Sequence, residues 1–168
     1  GEVRGEDARD WAQAILVGHG GITSFHAESP ETAVIRLQNP PINVNPQALN
    51  MLNVFVKMLP LRSKIGALKR KAEIYIHEKG KITPLFTYNP KKDEIEMKNI
   101  DLWKFEFVNR IVLSSGTSLD KLREEYEIMK KILKDTYRSA KKADPKLETP
   151  DYKQLPQVLY EKLAEYGF

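Results

Sequence analysis

The chain has 168 residues, of which 41% are hydrophobic and 30% charged, with a formal net charge of +4 and no cysteine; its mean hydropathy is -0.49. These values fit one globular domain, or one with an appendage, large enough to bury a core. They exclude disulfides, thiolate zinc sites and a cysteine nucleophile, and no apolar run approaches the roughly 20 residues that a membrane-spanning helix needs, so the expectation is a soluble, cytosolic protein. The charge is unevenly spread. Residues 1–56 hold three arginines against six acids, whereas residues 57–104 hold twelve lysines and arginines against six acids, a net +6. Such a stretch suits phosphates, acidic protein or an anionic membrane surface, or is simply a solvated lysine-rich surface.

In chain order, Glu6, Asp7 and Asp10 followed by Trp11, Ala12, Ala14, Ile15 and Leu16 predict a helix over residues 6–18, with Gly18 as its stop. Residues 22–26 (Ile22-Thr23-Ser24-Phe25-His26), short, apolar-rich and flanked by Gly20-Gly21 and Ser29-Pro30, read as a buried strand. Ser29 as cap and Pro30 at the first position open a second helix through Leu37. The prolines of residues 39–46 forbid a helix; Asn45 and Pro46 then cap a short one through Leu52, and Val54-Phe55-Val56 has the composition of a core strand. This alternation of strands and helices is the order of an α/β sheet. Residues 67–98 read as an antiparallel meander, because residues 72–76 alternate with period two, Gly80 marks a turn, and strands follow over residues 82–88 and around Ile95 and Met97. Beyond residues 114–118, Leu119, Leu122, Tyr126, Met129, Ile132, Leu133 and Tyr137 mark an amphipathic helix of about five turns, with Thr117 and Asp120 as its start signal. Thr149-Pro150 and Leu155-Pro156 begin one or two short helices. The expected organisation is residues 1–113 as a core and 114–168 as a helical appendage.

Chemistry concentrates near the start of the chain. Glu2 and Arg4 lie just before a helix start, so that Glu2 falls at the carboxyl end of a strand, where open α/β sheets bind ligands and a carboxylate can polarise a water; as a surface ion pair they would do little. His19 and His26 flank the Gly20-Gly21 turn and the following segment, with Thr23 and Ser24 between them, and fit either a reactive site or turn and core roles. They lack the spacing of a zinc site, and no metal ligands are assigned.

The runs Gly1-Glu2-Val3-Arg4-Gly5-Glu6-Asp7-Ala8 and Gly18-His19-Gly20-Gly21-Ile22-Thr23-Ser24-Phe25-His26-Ala27 resemble the end of the Walker B motif and the histidine box of the type II and type IV secretion ATPases, the motors of secretion, pili and the archaellum. Arg36-Leu37, the Pro40-Pro41 segment and residues 49–56 continue the likeness, which is nearest to the archaeal branch. The resemblance implies an α/β fold: the C-terminal half of a RecA-like P-loop NTPase core with a small antiparallel β meander, then an α-helical appendage. It implies Glu2 and His26 as catalytic residues, Glu2 positioning or activating the attacking water and His26 sensing the γ-phosphate. Arg4, His19 and Thr23 fall in the same motifs as nucleotide-binding or sensing residues.

ATP and Mg2+ are implied as cofactors of the complete protein alone, because the chain has no G-x-x-x-x-G-K-S/T run and hence no phosphate cradle of its own. Gly1 then reads as the middle of a Walker B signature within a longer protein. The implied partners are a homo-hexamer and an inner-membrane platform protein, with peripheral membrane contact through residues 57–104 at the cytoplasmic face. The alternative is a non-catalytic interaction module from a truncated or split ATPase gene. Nucleic acid is not an expected partner, since a net +6 is moderate and no recognition motif accompanies it.

Overall fold

The computed structural model describes residues 2–62, 68–143, 160–162 and 164–166. They form two compact units, Gly1–Phe107 and Val108–Phe168, and the helix starts expected at Thr149 and Leu155 lie outside the described residues. The first unit opens with three helices: α1 (Gly5–Leu16), α2 (Pro30–Gln38) and α3 (Pro46–Leu49). In α1, Glu6 and Asp7 occupy the first turn, where they oppose the helix dipole, and Ala8 and Ala12 turn inward. Ser29 caps α2 by accepting a hydrogen bond from the Thr32 amide at 3.1 Å, and the Asn45 side chain caps α3 by accepting from the Gln47 amide at 2.8 Å. These local signals were legible in the sequence, and the helices stand where the caps put them. Ala8, Ala12, Leu37, Ile42, Val44, Ala48 and Leu49 form one buried cluster, with Val3, Trp11 and Phe25 among the side chains packed against it.

The sheet corrects the expected RecA-like core. Its strands β1 (Val54–Arg62), β2 (Leu68–Glu78), β3 (Lys81–Asn89) and β4 (Glu94–Met97) follow one another in space as in sequence, and every pairing is antiparallel. The described residues therefore hold a four-stranded antiparallel sheet beside helices, a mixed α and β arrangement, and no parallel core. The connections explain this. Lys79 and Gly80, both at positive φ (51° and 74°), make the two-residue hairpin that a right-twisted antiparallel pair favours, and the other links are far shorter than the dozen residues a parallel crossover needs.

Two strand expectations also change. Residues 22–26 do not form a strand: a single parallel bridge joins Glu2 to Ser24, and Ile22 is 99% exposed. An extended segment becomes a strand only with a partner along its length, which composition does not supply. β1 is a strand, but at the sheet edge rather than in a core, with Val54 and Val56 half exposed.

Between Ile74 and Tyr75 the β2–β3 register shifts. Beside this irregularity the buried Glu73 accepts the Tyr88 amide at 3.0 Å and the Tyr75 hydroxyl at 2.8 Å, so the carboxylate replaces a ladder partner and is itself satisfied. The structure also binds the third histidine into the fold: His77 is 1% exposed, its Nδ1 lies 3.0 Å from the Leu52 carbonyl and its ring meets Phe55 edge-on. With the His77 amide donating to Asn53 at 2.9 Å, this residue ties β2 to the chain leaving α3.

A turn of 3-10 helix (Leu102–Lys104) leads to α4 (Glu106–Ser115), a helix that the sequence reading did not anticipate. In the second unit, α5 (Leu119–Ala143) realises the expected amphipathic helix and extends it to 25 residues. Its start differs from expectation: Ser118, not Thr117, accepts from the Lys121 amide at 3.2 Å.

Two measurements check this account. Leu49→Ala, at a side chain 2% exposed in the centre of the cluster, is expected to lower stability by about 2–5 kcal/mol in denaturant titration. Burial, with the hydrogen bond to Glu73 second, pushes the Tyr75 phenol up to about 12 from 10.0. Since the folded value exceeds the unfolded one, the stabilisation is complete below pH 10 and is lost as pH rises towards 12. Absorbance titration at alkaline pH should show Tyr75 among the late-ionising tyrosines, together with Tyr88, which its hydrogen bond to Asp93 also raises, and Glu73→Gln should bring Tyr75 down.

Candidate functional site

The bridge between Glu2 and Ser24, with the Val3 amide donating to the Ser24 carbonyl at 3.3 Å, sets the start of the chain alongside the segment that follows Gly21. Side chains that strands would have displayed are thereby brought together. Arg4 donates to Glu2 through both Nε and Nη2, at 2.9 and 2.8 Å, in the two-pronged geometry that matches guanidinium to carboxylate. From the other side of the bridge, His26 Nε2 approaches Glu2 Oε1 to 3.5 Å.

Glu2, Arg4, Phe25, His26, Arg36 and Pro41 are among the residues that border a cleft of about 470 Å³. Val3, Phe25 and Ile42 of its lining belong to or pack against the helical core, and the exposed Arg4 and His26 stand at its rim. The Glu2 side chain is 28% exposed, while Arg4 and His26 are 76% and 82% exposed. Arg36 closes one side, with its guanidinium over the Phe25 ring at 5.0 Å and a hydrogen bond to the His26 carbonyl.

The hydrogen bonds from Arg4 hold the Glu2 carboxyl below its ordinary value, desolvation works against this, and the charges of Arg4 and His26 add to the lowering. The same bonds raise Arg4. Glu2 is thus an anion at neutral pH and a weaker base than an unpaired glutamate, better suited to orienting a water through its oxygens than to taking a proton outright.

Of the five residues singled out from the sequence, Glu2, Arg4 and His26 meet at this cleft. His19 does not: its Nδ1 lies 3.2 Å from the Ala14 carbonyl at the end of α1, and it is not among the residues bordering the cleft. Thr23, next to Ser24 in the bridged segment, is likewise off the cleft. Arg36 and Phe25 carry no functional signal of their own in the sequence. Their meeting across eleven residues depends on where α2 turns the chain, which spacing alone does not reveal. Among the described residues no group of three or more histidine or acidic side chains is arranged to hold a metal ion.

No model of a known protein family matches the chain. It is similar to three proteins of Methanocaldococcus jannaschii. It is 35% identical over 106 residues to "Uncharacterized protein MJ1287", covering 63% of this chain and 36% of that protein. It is 31% identical over 149 residues to "Uncharacterized protein MJ0781", covering 83% of this chain and 20% of that one. To "Uncharacterized protein MJ0900" it is 31% identical over 100 residues, 55% and 18% of the two chains. The chain thus spans about a third or less of the length of these relatives.

The pairing at the cleft has a direct test. As pH falls through the depressed value of Glu2, the carboxyl takes a proton and the pair with Arg4 is lost, so the contact exists above that value. In carboxyl carbon NMR titrations, Arg4→Gln is expected to move the Glu2 midpoint up towards the ordinary glutamate range. His26→Gln should move it less.

Proposed function

We propose that this chain is the C-terminal portion of a hexameric ATPase that powers type II or type IV secretion, or pilus or archaellum assembly. The observation that carries the reading is the meeting of Glu2 and His26, 24 residues apart in sequence, at 3.5 Å on the rim of a cleft. The two motifs that resemble the Walker B end and the histidine box thereby converge. The reading rests on those motifs and on their convergence, not on the form of the sheet.

The fit to Mg2+ and ATP is partial. Phosphoryl transfer depends on positioning and on neutralising charge. A carboxylate able to orient water, a facing imidazole, and arginines at the same rim supply one side of such a site. The backbone cradle, the lysine on the terminal phosphates and the hydroxyl on magnesium have no counterpart in this sequence. In this proposal those groups come from residues outside these 168, and Glu2 and His26 act on the water and the terminal phosphate. A hexamer, a membrane platform protein and docking at the cytoplasmic face belong to the same proposal. Among the described residues no helix is long and apolar enough to cross a membrane, and the basic stretch of residues 57–104 would provide the peripheral contact.

The reading predicts that the 168-residue chain does not hydrolyse ATP by itself, and that Glu2→Gln in the full-length protein abolishes phosphate release while nucleotide binding persists. Turnover at the unaltered rate in that variant overturns the role of Glu2. A full-length protein with no phosphate cradle and no hydrolysis would favour the non-catalytic interaction module instead.

A further inference from the structure

Arg36 occupies the last turn of α2, a helix anchored by the buried Ala33 and Leu37. From that base its guanidinium reaches back towards the preceding segment. It lies over the Phe25 ring at 5.0 Å and donates through Nη1 to the His26 carbonyl. Phe25 in turn packs against the helical core. The segment held in this way has no strand to support it, only the bridge at Ser24. Its His26 ring is 82% exposed, so packing does not fix it.

We propose that Arg36 is a positioning residue: it fixes the backbone of His26, and so sets the distance at which the imidazole meets Glu2. The catalytic consequence rests on the ATPase reading above, whereas the positioning itself does not. The chemistry requires arginine. A flat guanidinium stacks on an aromatic ring while its edge donates to a carbonyl, and a lysine ammonium has neither the plane nor the fork. The placement matters because a misplacement of about 1 Å at a reacting centre costs on the order of 10²-fold in rate. A direct role for Arg36 in gripping phosphate is the competing assignment, and it has a different kinetic signature.

The experiment compares Arg36→Gln and Arg36→Lys in the 168-residue chain by NMR and in the full-length protein by ATP hydrolysis. In the chain, both variants are expected to shift the His26 carbonyl carbon and to speed amide exchange over residues 22–28, with α1 and α3 unchanged. Phe25→Leu, which keeps an apolar side chain against the core but removes the ring, should shift the same carbonyl part of the way; it serves as the second probe if the Arg36 variants fold poorly. In hydrolysis, Arg36→Gln is expected to lower kcat by roughly 10²-fold with KM for ATP nearly constant. It should cost nothing further in a His26→Gln background. An unmoved His26 carbonyl overturns the proposal, as does a raised KM at constant kcat, which marks direct phosphate contact, or a loss that adds to that of His26→Gln. If Glu2→Gln keeps full hydrolysis while the His26 carbonyl still responds to Arg36, the ATPase reading fails and the positioning role stands.

Discussion

The cleft depends on one backbone contact, the parallel bridge between Glu2 and Ser24. A bridge of this size is weak by the standards of a sheet, where each residue gains from neighbours on both sides. It is nevertheless what converts two sequence-distant motifs into a single constellation, because residues that alternate about a bridge present their side chains at fixed offsets. Two side-chain contacts reinforce it. The Glu2–Arg4 pair braces one side of the bridge and the Arg36–Phe25 stack braces the other. Neither is buried deeply enough to drive folding. Their effect is to choose one arrangement among several that the extended segments could adopt.

The starts of α2 and α3 are legible in the sequence to the residue because their signals are local, whereas the ends expected for α1 at Gly18 and for α3 at Leu52 fall at Leu16 and Leu49. Ser29-Pro30 and Asn45-Pro46 each declare a helix start through a side-chain oxygen and a fixed φ, and both oxygens accept the expected amides. The meander was legible for a similar reason: a turn at Gly80 and alternating residues 72–76 specify a hairpin without reference to the rest of the chain. What failed was non-local. The segment around Phe25 has strand composition, yet strand formation is decided by partners, and the single bridge at Ser24 leaves Ile22 in solvent. The expected parallel core fails with it, because the order of strands along the chain does not fix their direction and every sheet pairing here is antiparallel.

The site shows the same division. Glu2, Arg4 and His26 were found from motif spacing, and the fold brings all three to one rim. His19 and Thr23 share those motifs but do not border the cleft, and the His19 ring turns instead to the end of α1. Arg36 was missed because a guanidinium that reaches from the last turn of a helix to the backbone of an earlier segment leaves no periodicity behind. His77 was passed over for the opposite reason. A histidine in an alternating strand reads as a surface residue, whereas its ring here is enclosed and aimed at Leu52, so a polar side chain serves as the tie between sheet and helices.

β1 lies at an edge of the sheet, and an open edge of nine residues with apolar side chains would ordinarily invite another strand to join it. Two of its positions work against that. Pro60 offers no amide to an incoming chain, and Lys57 places a charge in the middle of the strand. The stretch still able to template a neighbour shrinks to Val54-Phe55-Val56, too short for a stable cross-strand ladder alone. Among the described residues, the edge is therefore guarded against unspecific strand addition by its own sequence rather than by a covering element.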